Sequence, residues 1–299
     1  MTNPYYYLDM IRQLEITPGS LVVVAADITR LALAGRRLEI GFDVNNFLDT
    51  LKQCFGKGGT LVIPSYNFTL RSNDHYSPNK TLPLTGALAV AALKRPEFIR
   101  TSNPLHSFLV WGEHAGELSN LSNRSSFDKD SPFAFFRDHG GKMLFIDTTV
   151  TAAFTFVHHV EEMEKVRYRK YKRLIINVEE GKRGKGEEGK RGKGEEWTRR
   201  QEVLLFAKKP GWTMDLKGLE ELLVQEKVAK KMKINQVSFT LVDLAEAYPV
   251  IRNDIRNNKA GNIARFSAGL YFREIAKTSL GYIGIHTLAD KISHDPGLL

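Results

Sequence analysis

The stretch SLVVVAADI, residues 20–28, is a continuous apolar run rich in β-branched side chains. A run without polar alternation suits a strand buried on both faces, because neither face meets water. It predicts a central strand. Outward from it, helical and extended patterns alternate. Phe47, Leu48, Leu51, Cys54 and Phe55 recur at helical spacing after Asp43, and Gly56, Gly58 and Gly59 end that helix before a second apolar run at residues 60–64. Thr85 is placed to cap a short helix in GALAVAALKR, which must close before Pro96. HSFLVWG, residues 106–112, reads as a strand and residues 113–121 as a helix. Ser131 and Pro132 mark another helix start, with proline at a position where its missing N–H costs nothing, and Gly140 and Gly141 end it before the strand KMLFI at 142–146. Residues 152–166 read as one helix, and residues 168–178 and 197–208 as the arms of a hairpin. An amphipathic helix at 216–232, a strand at 237–242 and helical segments from 243 to 277 complete the pattern. Strands alternating with helices through the first 165 residues predict an α/β fold, a central sheet flanked by helices and made mixed by the hairpin.

The chain has 299 residues, of which 42% are hydrophobic and 26% charged, enough to bury the core of one domain spanning 1–299. Disorder as a class is excluded. The N-terminus, MTNPYYYLDMIRQLEI, lacks the charged and apolar regions of a secretory signal, and no apolar run approaches the roughly 18 residues of a membrane span. A cytoplasmic protein without a membrane partner is expected. The single cysteine, Cys54, excludes an intramolecular disulfide and sits on the apolar stripe of its helix, as a core residue rather than a nucleophile. The net charge of +9 admits a nucleic-acid binder, a site for a polyanionic small molecule, or a biased surface. Two of those charges belong to an exact duplication, GKRGKGEE at 181–188 and again at 189–196, which contains no apolar residue and reads as a flexible insertion at the hairpin tip. No basic stripe interleaved with aromatics supports nucleic-acid binding.

Glycine-rich phosphate loops, HExxH and GxSxG are all missing from the sequence. What stands out is His106 in RTSNPLHSF, and His158 and His159 in TFVHHVEE. On a helix, positions three and four apart share a face, so His158 meets Glu161 and Glu162 while His159 points elsewhere. An imidazole backed by a carboxylate is a minimal base-and-orienter pair, since the carboxylate fixes the tautomer and supports the imidazolium. Solvated charge pairing and a metal pair are the plainer readings of the same residues.

Taken in order, R-x-S-N-P-L-H-S-F, F-x-K-D-S-P-F, G-G-K-M-L-F-I and T-F-V-H-H-V-E resemble the aminoglycoside 3-N-acetyltransferase family, which uses acetyl-CoA and does not have the GNAT fold. The similarity spans roughly residues 5–250 and includes GGTLVIPSYNF. It implies acetyl transfer from acetyl-CoA to a primary amine of a small amino sugar, with no metal; a homodimer is compatible with it. Position by position, it makes His158 the general base and Glu161 its support. It sets His106, Ser107, Asp27 and Arg71 on the cofactor side, with Arg30, Arg100 and Lys80 as further cations for the CoA phosphates, and His159, Glu162, Asp147 and Tyr66 on the acceptor side. Ser131 and Pro132 match the family's S-P-F element. The chain departs from the pattern in three places. Ala25 and Ala26 stand where the family has the polar V-H-S-S-L that helps hold CoA, Asp147 replaces a glycine, and the helical segment from 250 to 299 diverges. A surplus of positive charge suits a phosphate-bearing donor better than a polycationic acceptor. Two competing expectations are a metal-dependent hydrolase using His158, His106 and Asp147, and a non-enzymatic polyanion binder using the repeat.

Overall fold

A computed structural model describes residues 4–179 and 198–282. The first half of the chain runs α1 (Pro4–Arg12), β1 (Leu21–Ala26), α2 (Thr29–Arg37), α3 (Val44–Phe55), β2 (Thr60–Tyr66), β3 (His75–Tyr76), α4 (Ala87–Leu93), β4 (Ile99–Arg100), β5 (His106–Gly112), α5 (Ala115–Asn120), α6 (Pro132–Asp138) and β6 (Lys142–Ile146). The second half runs α7 (Val150–Ala153), α8 (Val157–Met163), β7 (Arg169–Glu179), β8 (Thr198–Lys208), β9 (Trp212–Met214), α9 (Lys217–Gln225), β10 (Ala229–Ile234), β11 (Val237–Asp243), α10 (Leu244–Asn257), β12 (Ala264–Phe266) and α11 (Ala268–Tyr282).

Seven strands form the central sheet in the order β10-β11-β6-β1-β2-β5-β4. β1 lies in its middle, parallel to both β6 and β2. Its alternate residues serve two cores: Leu21 and Val23 pack with Phe108, Phe136 and Phe145 on one face, while Val22 and Val24 pack with Phe47, Leu51 and Leu88 on the other. That double burial is what the unbroken apolar run requires. The sheet is mixed, but not because of the hairpin. Its antiparallel members are β5 beside β2, β4 beside β5, β11 beside β6 and β10 beside β11, whereas β7 lies between β3 and β8 in a separate three-stranded sheet.

Local chemistry sets several boundaries. The Asp43 carboxylate accepts the Asn46 N–H at the start of α3, and the Ser131 hydroxyl accepts that of Ala134 at the start of α6. Thr85 does not cap α4 as expected; Gly86 holds the cap position, and the Thr85 hydroxyl donates to the Pro64 carbonyl at the edge of the sheet. The helix expected over 152–166 is broken into α7 and α8. Phe154 and Phe156 are both buried, and residues two apart cannot share one helical face, so the chain leaves the helix between them. The helix expected over 216–232 ends at Gln225, with Lys227 in the left-handed region at φ 60°. The chain then turns into β10, because pairing with β11 through a tight turn at Asn235 and Gln236, φ 47° and 70°, outweighs the helix preference of Lys and Met. Cys54 is half-buried on α3, and burial, opposed by Arg12, pushes its thiol up to about 11, an inert state at neutral pH.

Arg169 pairs with Lys208 at one end of the hairpin and Glu179 with Thr198 at the other. The duplicated GKRGKGEE segment lies outside the described residues and joins the second end, about 34 Å along the strands from the first. Excising one copy, residues 189–196, is expected to change unfolding free energy by no more than about 0.6 kcal/mol, the cost of one halving of loop length. Urea titration checks the stability. Turnover of the same variant should match wild type, and its loss would mean that the repeat serves the site directly.

Candidate active site

Helix α8 sets His158 and Glu161 one turn apart, and the imidazole Nδ1 lies 2.7 Å from Glu161 Oε2. The Glu161 side chain is completely buried. Its other oxygen accepts the Tyr168 hydroxyl at 2.8 Å, and Arg169 Nε lies 2.6 Å from Oε2 as an ion pair. Tyr168 and Arg169 come from the start of the hairpin, so the carboxylate joins α8 to the second sheet. Arg169 is itself held by the Phe206 carbonyl at 3.1 Å and lies over the Phe206 ring. Its Nη2 also comes within 2.9 Å of His158 Nδ1. A carboxylate only accepts and a guanidinium only donates, so Nδ1 can serve one of the two; carrying the hydrogen, it donates to Glu161 Oε2 at the shorter distance, and the approach of Arg169 Nη2 is then an electrostatic contact rather than a hydrogen bond. Nε2 then carries the free lone pair.

Burial opposes charge on Glu161, but His158, Arg169 and Tyr168 together offset it and hold the carboxyl below the usual range. For His158, burial and the Arg169 cation push the imidazole below its ordinary value, against the pull of Glu161. The imidazole is therefore neutral at physiological pH.

His158 stands on the wall between two cavities. The first, about 460 Å³, lies beyond the carboxyl ends of the parallel strands β1, β2 and β6, the usual place for a ligand in such a sheet. Ala25, Ala26, Ile63, Tyr66 and Leu88 make it largely apolar, and Asp27 and His106 reach it as well. The second, about 450 Å³, is lined by Thr151, Thr155, Thr213, Met214 and Lys208. The Phe127 ring lies between the two histidines, 4.8 Å from His106 and 5.3 Å from His158. His106 Nδ1 is 2.8 Å from the Ser126 hydroxyl, and burial, with His158 and Arg169 adding to it, pushes this imidazole down to about 3. It is a neutral ring. Along α2, one turn after Asp27, Arg30 opens onto a groove of about 770 Å³ lined also by Arg37 and Lys233.

A sequence profile of the aminoglycoside 3-N-acetyltransferases matches residues 38–255. The chain belongs to that family. It is a CoA-dependent N-acetyltransferase, with acetyl-CoA as its acyl donor. Among solved structures, the acetyltransferase is similar to AAC-IIIb in binary complex with CoASH, at 17% identity over 86% of this chain and 97% of that one, with a TM-score of 0.68. A histidine-to-alanine mutant of AAC(3)-IVa in complex with apramycin is similar at 19% identity over 87% and 96% of the two chains, TM-score 0.64. The YokD protein of Bacillus subtilis gives 16% identity over 86% and 100%, TM-score 0.66. A search of curated protein sequences finds no significant match.

Of the residues expected at the site of this acetyltransferase, the fold brings His158, Glu161, His106, Asp27 and Tyr66 together. Tyr66 lines the first cavity, on the side expected for the cofactor rather than the acceptor. The others lie elsewhere. The His159 ring is buried, with Nδ1 donating to the Phe127 carbonyl and Nε2 facing Arg137; burial pushes it down to about 4. Glu162 accepts the Ser125 hydroxyl at 2.6 Å, and burial pushes its carboxyl up. Ser107 is sealed beneath Arg100, Tyr76 and the Ser65 carbonyl. Arg71 lies in an exposed turn closed by Asp74, and Lys80 pairs with Glu179. Arg100 is buried among neutral acceptors rather than free for phosphate. Asp147 takes Arg30 at 3.3 Å and the Ser238 N–H at 3.2 Å, tying α2 to the sheet instead of shaping an acceptor pocket. That commits Asp147, the carboxylate named for the metal-hydrolase expectation, to Arg30 and Ser238, and among the described residues no three of His, Cys, Asp and Glu converge as a metal site. Also among the described residues, no helix is long and apolar enough to cross a membrane.

Tyr168, Arg169, Phe127 and Lys208 were not anticipated. Arg169→Met should raise the pH of the acid limb of kcat/KM, because removing the cation lets His158 protonate at higher pH as pH falls. The same change leaves Glu161 buried with less compensation and should cost about 3 kcal/mol in urea unfolding. An acid limb at the wild-type pH would show that Arg169 does not act on the base.

Proposed function

We propose that the acetyltransferase transfers an acetyl group from acetyl-CoA to a primary amine of a small amino sugar, with His158 as general base. The observation that carries this reading is the position of His158, with Nδ1 committed to Glu161 and Nε2 left free, between two cavities of different chemistry. Relatives of the same fold are described with apramycin, a gentamicin and sisomicin, all amino sugars.

The residues present fit acetyl-CoA on the side of the first cavity. Its apolar walls suit a pantetheine arm, and its volume lies in the usual range of small-molecule sites. Ala25 and Ala26 contribute wall rather than hydrogen bonds. The separate groove along α2 holds Arg37 and Lys233, with Arg30 paired to Asp147 beside them, as cations for phosphates. The second cavity, lined by three threonines and a lysine, suits a hydroxylated acceptor. Acetyl-CoA supplies the acetyl group as a thioester.

An acceptor ammonium is not nucleophilic until it loses a proton, which goes to solvent; as the resulting neutral amine attacks the acetyl carbon, His158 Nε2 takes the second proton from its nitrogen. Glu161, accepting from Nδ1, keeps the ring oriented and stabilises the imidazolium. Arg169 limits that stabilisation, so His158 does not retain the proton. The new N–C bond forms as the C–S bond breaks, and the imidazolium gives its proton to the departing thiolate. Arg137 and the Phe127 carbonyl fix the neighbouring His159, which keeps α8 from rotating.

His158→Ala should lower acetylation at least about 100-fold, the lower range for loss of a general base. A thiol-release assay measures it, with circular dichroism checking the fold. Wild-type turnover in a folded variant would remove His158 from the role of base.

A further inference from the structure

Lys208 ends β8, and its side chain lines both the second cavity and a shallower cleft of about 320 Å³ beside it, where Lys170 and Lys209 also stand. Its ammonium has no hydrogen-bond or ion-pair partner among the described residues, and neither has that of Lys170. Lys209, by contrast, donates to the Arg167 carbonyl. The acidic groups nearby are engaged: Glu161 by Arg169 and Tyr168, Asp215 by Arg265 at 3.5 Å, and Glu274, the one carboxylate among the described residues lining the shallower cleft, by the Gly211 N–H at 2.7 Å. Among the described residues that line the second cavity there is no Asp or Glu.

A cavity without a carboxylate offers a polycation no counter-charge, and the unpaired ammonium at its mouth repels a cation and gains most from an anion. The cations of the α2 groove, Arg30, Arg37 and Lys233, line a different surface from Lys208. Donor phosphates and Lys208 are therefore served separately. Lys208 also bears on the base, since its charge helps to keep the His158 imidazole neutral.

We infer that the acceptor is an amino sugar that also carries an anionic group, phosphate or carboxylate, and that Lys208, seconded by Lys170, binds that group while the amine faces His158. This rests on the assignment of the second cavity to the acceptor. It makes Lys208 a specificity residue and sets the preferred substrate apart from the polycations bound by relatives of the same fold.

The test compares thiol release from acetyl-CoA with glucosamine, glucosamine 6-phosphate, muramic acid and sisomicin, on wild type, Lys208→Gln and Lys208→Arg. Lys129→Gln, an exposed lysine paired with Asp130, serves as control. The phosphate or the carboxylate acceptor, whichever source the site takes, should exceed glucosamine and sisomicin in kcat/KM. Lys208→Gln should cut that preference about tenfold, as loss of one charge-assisted hydrogen bond would, with Lys208→Arg restoring most of it and KM for acetyl-CoA unchanged. Equal or better use of glucosamine or sisomicin would overturn the proposal, as would a Lys208→Gln effect on KM for acetyl-CoA instead of the acceptor. If no amine releases thiol, the acetyl-transfer reading fails, and calorimetry with glucosamine 6-phosphate and muramic acid still decides the anion site: binding of either, lost in Lys208→Gln, supports it, and no binding of both overturns it.

Discussion

The ion pair between Glu161 and Arg169 is the interaction on which the site depends. Burying two charges costs several kcal/mol, and only close geometry with further hydrogen bonds offsets that cost. Here the Tyr168 hydroxyl and His158 Nδ1 complete the carboxylate, and the Phe206 carbonyl and ring hold the guanidinium. The pair is therefore more than a local contact. It fixes helix α8 against the hairpin, and in doing so fixes the imidazole between the two cavities. The same pair tunes the His158 imidazole, with the carboxylate supporting the imidazolium and the guanidinium opposing it.

The central sheet supplies the other half of the site. Because β1 is buried on both faces and lies parallel to β2 and β6, the carboxyl ends of three neighbouring strands converge at one rim. Ala25 to Asp27, Ile63, Pro64, Tyr66 and Thr148 meet there. The break between α7 and α8 serves the same end. Phe154 and Phe156 anchor the chain in the core, and Thr155 and His158 are thereby turned toward both cavities.

The frame was legible where burial leaves a pattern along the chain. SLVVVAADI and KMLFI announced their strands because their side chains are enclosed on both sides, and Ser131 and Pro132 announced α6 because a cap is local chemistry. His158 and Glu161 were legible because helical spacing alone brings them together. Arg169 was not. In a run of alternating basic residues an arginine looks like part of a solvated face, and only the docking of the hairpin on α8 buries it. Lys208 was hidden in the same way at the other arm. His159 and Glu162 misled by adjacency: next to the base in sequence, they face the core and the Ser125 loop, since neighbours on a helix point about 100° apart. Helix 216–232 misled because pairing with β11 decides the state of β10, and pairing is not local. The charge surplus now has locations as well as a sum, with Arg30, Arg37 and Lys233 on one side of the base and Lys208 and Lys170 on the other.

The central claim is that burial and Arg169 hold His158 neutral against the pull of Glu161, while Glu161 keeps the proton on Nδ1 and leaves Nε2 free. Nuclear magnetic resonance of the ¹⁵N-labelled imidazoles across a pH titration reads tautomer and titration midpoint directly, with His158→Ala assigning the signal. The predicted spectrum shows the Nδ1–H tautomer with a midpoint below the ordinary value of about 6.5. An Nε2–H tautomer, or a midpoint above that value, would contradict it.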